Sequence, residues 1–89
     1  MTPVHVPIED TIDLHTFRPG EVSDLLQEYF LACTHANIFS VRVIHGKGKG
    51  ILKKNVYSHL EKNPQVLSYR DSGPDAGGWG STQVELQIL

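Results

Sequence analysis

The chain reads as an α/β protein, a two-layer sandwich in β-α-β-α-β-β order whose mixed four-stranded sheet carries both helices on one face. Three observations predict this. Stripes of helical period over residues 21–37 and 51–63 alternate with short runs rich in β-branched residues, and the last run alternates apolar with polar side chains. A strand-helix-strand crossover joins parallel strands within a sheet, so the first three strands are expected to be parallel. The outward residues of the last strand, Gln83, Glu85 and Gln87, need no cover, which leaves one sheet face for the two helices.

Residues 1–10 carry Pro3 and Pro7 without a sustained period and read as an arm, available for docking a protein partner; residues 11–89 form the domain. Thr11 to His15 alternates, with Ile12 and Leu14 on one side and Asp13 and His15 on the other, as a half-buried strand does. Arg18-Pro19-Gly20 turns the chain. From Glu21 to Asn37 the residues Val22, Leu25, Leu26, Tyr29, Cys33 and Ala36 recur at three and four, the stripe of an amphipathic helix, and Asn37 tolerates a left-handed stop. Phe39 to His45 is a second strand with Val41 and Val43 toward the helices. Gly46 to Gly50 opens a second helix, striped by Leu52, Val56 and Leu60 and ended at Asn63 because Pro64 disfavours helical geometry there. Val66 to Arg70 is a third strand, Asp71 to Gly80 a loop with turn chemistry, and Thr82, Val84, Leu86 and Ile88 the inward residues of the last strand.

Composition narrows the function classes. At 89 residues the chain makes one domain with a shallow site, and its single cysteine excludes a disulfide framework and any multi-cysteine zinc centre. No apolar run approaches a membrane span and no secretion signal opens the sequence, so a cytoplasmic protein without a membrane partner is expected. The net charge of -2 argues against a uniformly basic nucleic-acid binder, yet Arg42, Lys47, Lys49, Lys53 and Lys54 lie in one stretch free of acids. That is an anion-attracting patch.

If the first three strands are parallel, their carboxyl ends gather three loops on one rim, the edge where open α/β sheets bind ligands. His45-Gly46-Lys47-Gly48-Lys49-Gly50 has the clearest logic: a glycine-rich entry to a helix lets backbone N-H groups approach an anion, and two lysines add charge. It is neither a Walker A loop nor a dinucleotide fingerprint. Asp13 and His15 share a side of their strand, so the carboxylate can orient the imidazole for proton transfer, though the spacing also fits a strand wet on one face. The lysines beside His45 disfavour its charged form, leaving a neutral base or a donor. Trp79, flanked by Gly78 and Gly80, either stacks on a base or folds back as a small satellite core. Arg42 and Arg70 are candidate backbone contacts. His5, His35 and His59 are read as surface residues, and Cys33 as a small core residue.

These motifs resemble those of the small MutS-related, or Smr, domain family. Asp13-Leu14-His15 matches its D-L-H motif, His45 to Gly50 its H-G-x-G-x-G motif, and Gly78 to Thr82 its G-x-G-x-T motif, in order, within a match over residues 11–89. The resemblance implies a fold similar to the C-terminal domain of bacterial translation initiation factor three. It also implies a nucleic-acid module, found alone, at the end of MutS-like ATPases or on pentatricopeptide arrays, with endonuclease activity in some members. The family usually continues D-L-H with glycine; here Thr16 stands in that place.

Two function classes follow. In the first, an endonuclease cuts DNA or RNA: Asp13 orients His15, and His15 or His45 moves the proton of the attacking water or ribose hydroxyl. Gly46, Lys47, Gly48, Lys49, Gly50 and Lys53 hold the phosphate, and Arg42, Arg70, Gly78, Trp79, Gly80 and Thr82 complete the nucleic-acid contacts. No metal cluster or cofactor is foreseen; Asp13 alone would hold magnesium weakly, so metal dependence should be limited. In the second, the same rim binds structured or single-stranded nucleic acid and cuts nothing. A protein-interaction domain is a third reading, and the sequence leaves oligomeric state open.

Overall fold

The computed structural model describes residues 8–46, 50–72 and 80–88. Strand β1 spans Thr11–Asp13, helix α1 Val22–His35, β2 Ser40–Ile44, α2 Ile51–Lys62, β3 Val66–Asp71 and β4 Ser81–Leu86, with a short 3-10 turn at Pro19–Glu21 ahead of α1. The sheet order is β1-β2-β4-β3, with β1 parallel to β2 and β4 antiparallel to both β2 and β3. The first three strands therefore share a direction, as expected, although β4 separates β3 from β2.

Both helices lie on one face. Val22, Leu26, Phe30 and Cys33 of α1 and Val56 and Leu60 of α2 are buried with Val41, Val43, Val84 and Leu86 of the sheet in one core. Phe30, absent from the expected stripe, completes it at four-residue spacing from Leu26, and Leu25 and Tyr29 flank it half-buried. Ala36 lies past the helix and is exposed, because the chain has already turned. Asn37 takes φ 62, its N-H donates to the Thr34 carbonyl, and the Ile38 N-H donates to the Cys33 carbonyl, a left-handed Schellman stop at the expected residue. Helix α2 ends at Asn63, which is extended ahead of Pro64.

Two expectations are corrected. Ile88 is 68% exposed rather than inward, because β4 ends at Leu86 and residue 88 runs beyond its partners. His59 is buried, not a surface residue: it sits three residues after Val56 and one before Leu60, so helical geometry carries it onto the core side of α2, where its ring tilts against Phe30 at 5.9 Å.

Candidate nucleic-acid interface

The register places Asp13, Ile44 and Ser81 side by side, and Asp71 opposite Thr82, so the ends of β1, β2 and β3 and the start of β4 share one rim. His45 and Gly46 leave β2 there, and both their N-H groups donate to the Gly80 carbonyl, at 2.9 and 3.0 Å. Gly46 has φ +79, a conformation that L side chains rarely adopt, and a Cβ built on it would sit 3.7 Å from the His15 Cβ. Space is ordinary at that distance, so the backbone angle is what calls for glycine. Parts of all three sequence motifs thus meet: His15 from the first, His45 and Gly46 from the second, Gly80 and Thr82 from the third. Gly50, also at φ +79, caps the start of α2. Lys47, Gly48, Lys49, Gly78 and Trp79 lie outside the described residues.

At one end of the rim stands the exposed pair Asp13 and His15. The His15 backbone N-H donates to Asp13 Oδ1 at 3.0 Å, and His15 Nδ1 lies 2.6 Å from the same oxygen. These bonds, the backbone one first, hold the Asp13 carboxyl below its ordinary range. An ionised carboxylate only accepts, so Nδ1 carries the ring proton and Nε2 is the basic nitrogen.

His45 differs: its ring is buried, with Nε2 2.9 Å from Thr82 Oγ1 and Nδ1 3.2 Å from the Gly46 carbonyl. Burial is the main force lowering its pKa; the Gly46 carbonyl opposes that, and Lys53 adds to it. The lysine effect read from sequence is thus secondary. Beyond Thr82 the contacts continue into residues that the sequence reading missed. Thr82 Oγ1 donates to the Tyr57 hydroxyl at 3.4 Å, Tyr57 donates to Asp71 Oδ1 at 2.7 Å, and Lys53 Nζ lies 3.2 Å from that oxygen. Tyr57 and Lys53 hold the Asp71 carboxyl low. Asp71 was readable only as a loop residue, and Tyr57 as a neighbour of the α2 stripe.

Among the described residues, the basic candidates Arg42, Lys53, Lys54 and Arg70 divide between two surfaces. Lys53 is half-buried and Lys54 exposed on α2, beside a shallow groove of about 440 Å³ that Gly50 and Tyr57 also line. Arg42 and Arg70 align across Gln83 in mid-sheet, out of phase with the inward Val41, Val43 and Val84, and so face the uncovered side. Among the described residues, no group of three His, Cys, Asp or Glu side chains gathers to hold a metal, and no helix is long and apolar enough to cross a membrane.

A family model of the Smr domain matches residues 12–87. The chain belongs to the Smr domain family. Its Smr domain is 38% identical over 80 residues to the Endonuclease MutS2 of Staphylococcus saprophyticus, covering 90% of this chain and 10% of that protein. To the Endonuclease MutS2 of Halalkalibacterium halodurans it is 39% identical over 80 residues, again 90% of this chain and 10% of the relative. The chain therefore spans about a tenth of these relatives. The crystal structure of the Smr domain of Thermus thermophilus MutS2 matches with a TM-score of 0.84 and 26% identity over 90% of this chain and all 100% of that one. YdaL of Escherichia coli, a stand-alone small MutS-related protein, shares the fold at TM-score 0.81 and 22% identity, over 89% of this chain and 65% of that one.

Proposed function

We propose that this Smr domain binds DNA or RNA along its rim and cuts a phosphodiester there, with His15 as the acid-base group. The observation that carries this reading is the exposed Asp13–His15 pair standing against Gly46, where the glycine loop begins. Asp13 holds the proton on Nδ1, and Nε2 takes the proton of the attacking water or ribose hydroxyl and returns it to the leaving oxygen. Amides of Gly48 and Gly50, with Lys47, Lys49 and Lys53, hold the phosphate and stabilise its growing charge, while the Gly46 N-H stays bound to the Gly80 carbonyl. Gly80, beside Gly46, supplies backbone to the same rim, Gly78 and Trp79 are expected to add contacts, and Arg42 and Arg70 extend backbone contacts onto the open sheet face; Thr82, fully buried, positions His45 instead of touching nucleic acid.

The buried ring of His45, with both nitrogens against protein oxygens, suits positioning of the loop better than proton transfer to substrate. The relatives named Endonuclease MutS2 support the nuclease reading. The buried Cys33 thiol suits a reducing compartment, the cytoplasm.

Incubation with supercoiled DNA and with structured RNA tests the proposal. His15→Ala should lower cutting by about 10²-fold or more while low-salt binding persists. Cutting abolished by EDTA but untouched by His15→Ala would overturn the acid-base assignment.

Thr16 favours a second reading, a module that binds without cutting. Its exposed side chain follows His15 where the family usually has glycine, and if that glycine serves to let a phosphate approach the backbone, Thr16 crowds the approach. Salt-dependent binding of a branched duplex, with plasmid left intact, would mark this reading.

A further inference from the structure

The rim carries apolar surface as well as charge. Among the described residues six large apolar side chains are exposed, and two of them, Phe17 at 39% and Ile51 at 56%, stand at the rim end of the domain. Ile8, Leu31, Leu67 and Ile88 lie toward the opposite end. Phe17 follows the Asp13–His15 pair in a closed turn: its N-H donates to the Leu14 carbonyl at 2.9 Å, and the Leu14 N-H donates to the Ile44 carbonyl at 2.7 Å. Leu14 is fully buried, so the turn is tied to both the sheet and the core. On the other side the Glu21 N-H donates to the Arg18 carbonyl at 2.9 Å. Phe17 itself belongs neither to the core nor to the half-buried side chains packed around it. A backbone held from both sides thus keeps a phenyl ring in water, forgoing the free energy that burial would give.

Ile51 comes to the same place from α2. The 3-10 turn at Pro19–Glu21 packs against this helix, and Pro19 and Asn55 line one small cleft. Ile51 shares the Asn55 side of α2 one turn nearer the rim, about 6 Å along the axis. Phe17 is two residues nearer the rim than Pro19. The surrounding charges identify the guest of this apolar pair. His15 is two residues from Phe17, within about 7 Å between Cα atoms. Arg18 is exposed and in no ion pair among the described residues, and Lys54 is exposed one turn along α2. The nearby acids are engaged, Asp13 by His15 and Glu21 by the Arg18 N-H. An apolar face bordered by cations and a proton-transfer histidine suits a flat aromatic group joined to an anion. We infer that Phe17, with Ile51 beside it, is a platform for one unpaired nucleobase next to the phosphodiester at His15. Bases inside a duplex are covered by their neighbours and closed by pairing, so the platform selects loops, flaps and single strands. This rests on the reading of the rim as a nucleic-acid site and is independent of cutting.

The test uses the full chain with a short oligothymidylate and an abasic strand of equal length, which keeps the phosphates and lacks the bases. Both carry one fluorescent label, and binding is read by anisotropy at low salt. The thymidylate should bind about tenfold more tightly than the abasic strand, as expected for one stacked base. Phe17→Ala should reduce that preference to less than about threefold while abasic binding stays within about twofold of wild type. Phe17→Tyr keeps the ring and should keep the preference; Ile51→Ala should reduce it by a smaller factor. Should Phe17→Ala not fold, the Phe17 ring signals of the wild type provide the second readout, shifting upfield with thymidylate and staying in place with the abasic strand. Equal affinity for the two strands, a ring unmoved by thymidylate, or a Phe17→Ala loss shared by both strands overturns the platform and leaves the nucleic-acid reading intact. So does a preference that survives Phe17→Ala, the result expected if Trp79 alone takes the base. Failure of both strands to bind at low salt overturns the two readings together.

Discussion

His45 and His59 are both buried, and burial lowers the pKa of each, yet the groups at the far end of their contacts differ. His59 lies 3.1 Å from Ser23 Oγ through Nδ1 and 2.9 Å from Asn63 Nδ2 through Nε2. The Asn63 carbonyl oxygen accepts the Gln65 N-H at 2.9 Å, so the amide turns its N-H toward His59. Nε2 must accept, Nδ1-H donates to Ser23, and the neutral ring satisfies both. A second proton would set N-H against N-H. This also removes His59 as a base for Ser23, despite a Ser-His-Asn constellation that suggests a nucleophile. At the rim the contacts lead from His45 through Thr82 and Tyr57 to a carboxylate; between the helices they end on the Asn63 donor. Burial is common to both, and the donor or acceptor at the end of each series separates them.

The strongest way to break this comparison is to remove the closed set. His59→Ala deletes the ring packed on Phe30 and leaves the Asn63 N-H without its acceptor, which should cost about 3 kcal/mol of stability, read as a shift in the urea midpoint.

Acid pH comes next in size. The folded pKa of His59 lies below its ordinary 6.5, so as pH falls the unfolded chain binds the proton first. The stability this group provides is present above about pH 6.5, is lost as pH falls below that value, and levels off below the folded pKa. Asn63→Asp replaces the opposing N-H with a carboxylate and should raise the His59 pKa above its unfolded value. The sign then reverses: that contribution is full at low pH and is lost as pH rises through the folded pKa. Urea midpoints at several pH values check both directions, and an unchanged slope in Asn63→Asp would show that His59 does not control it.

The smallest effect is expected at Lys53. Its ion pair with Asp71 is partly exposed, so Lys53→Ala should change stability by less than about 1 kcal/mol. The His45 midpoint is the more sensitive readout and should rise in the free protein, since a nearby cation is gone.

Local features were legible in the sequence. Val41 and Val43 point inward because a strand alternates, and Asn37 stops α1 because asparagine accepts a left-handed backbone. The Asp13–His15 pair was legible for the same reason, since two residues apart on a strand share a side. The burial of His59 had a signal too, its place between Val56 and Leu60, but a polar residue type masked it. The sheet order had none, because nothing local tells β4 to enter between β2 and β3. Tyr57 and Asp71 escaped notice because their meeting requires α2 to be laid over the edge of β3.

The sequence by itself determined the element order, the common direction of three strands and the gathering of motif residues on one rim, since period, turn chemistry and crossover geometry act over a few residues at a time. Only the tertiary structure decided that His45 and His59 are buried, and which groups their ring nitrogens meet. His45 and Thr82 are 37 residues apart, and Ser23 and His59 are 36 apart. Hydrogen bonds at such separations exist only after β4 pairs with β2 and α1 packs beside α2, and it is those partners, absent from any local pattern, that assign each imidazole its proton.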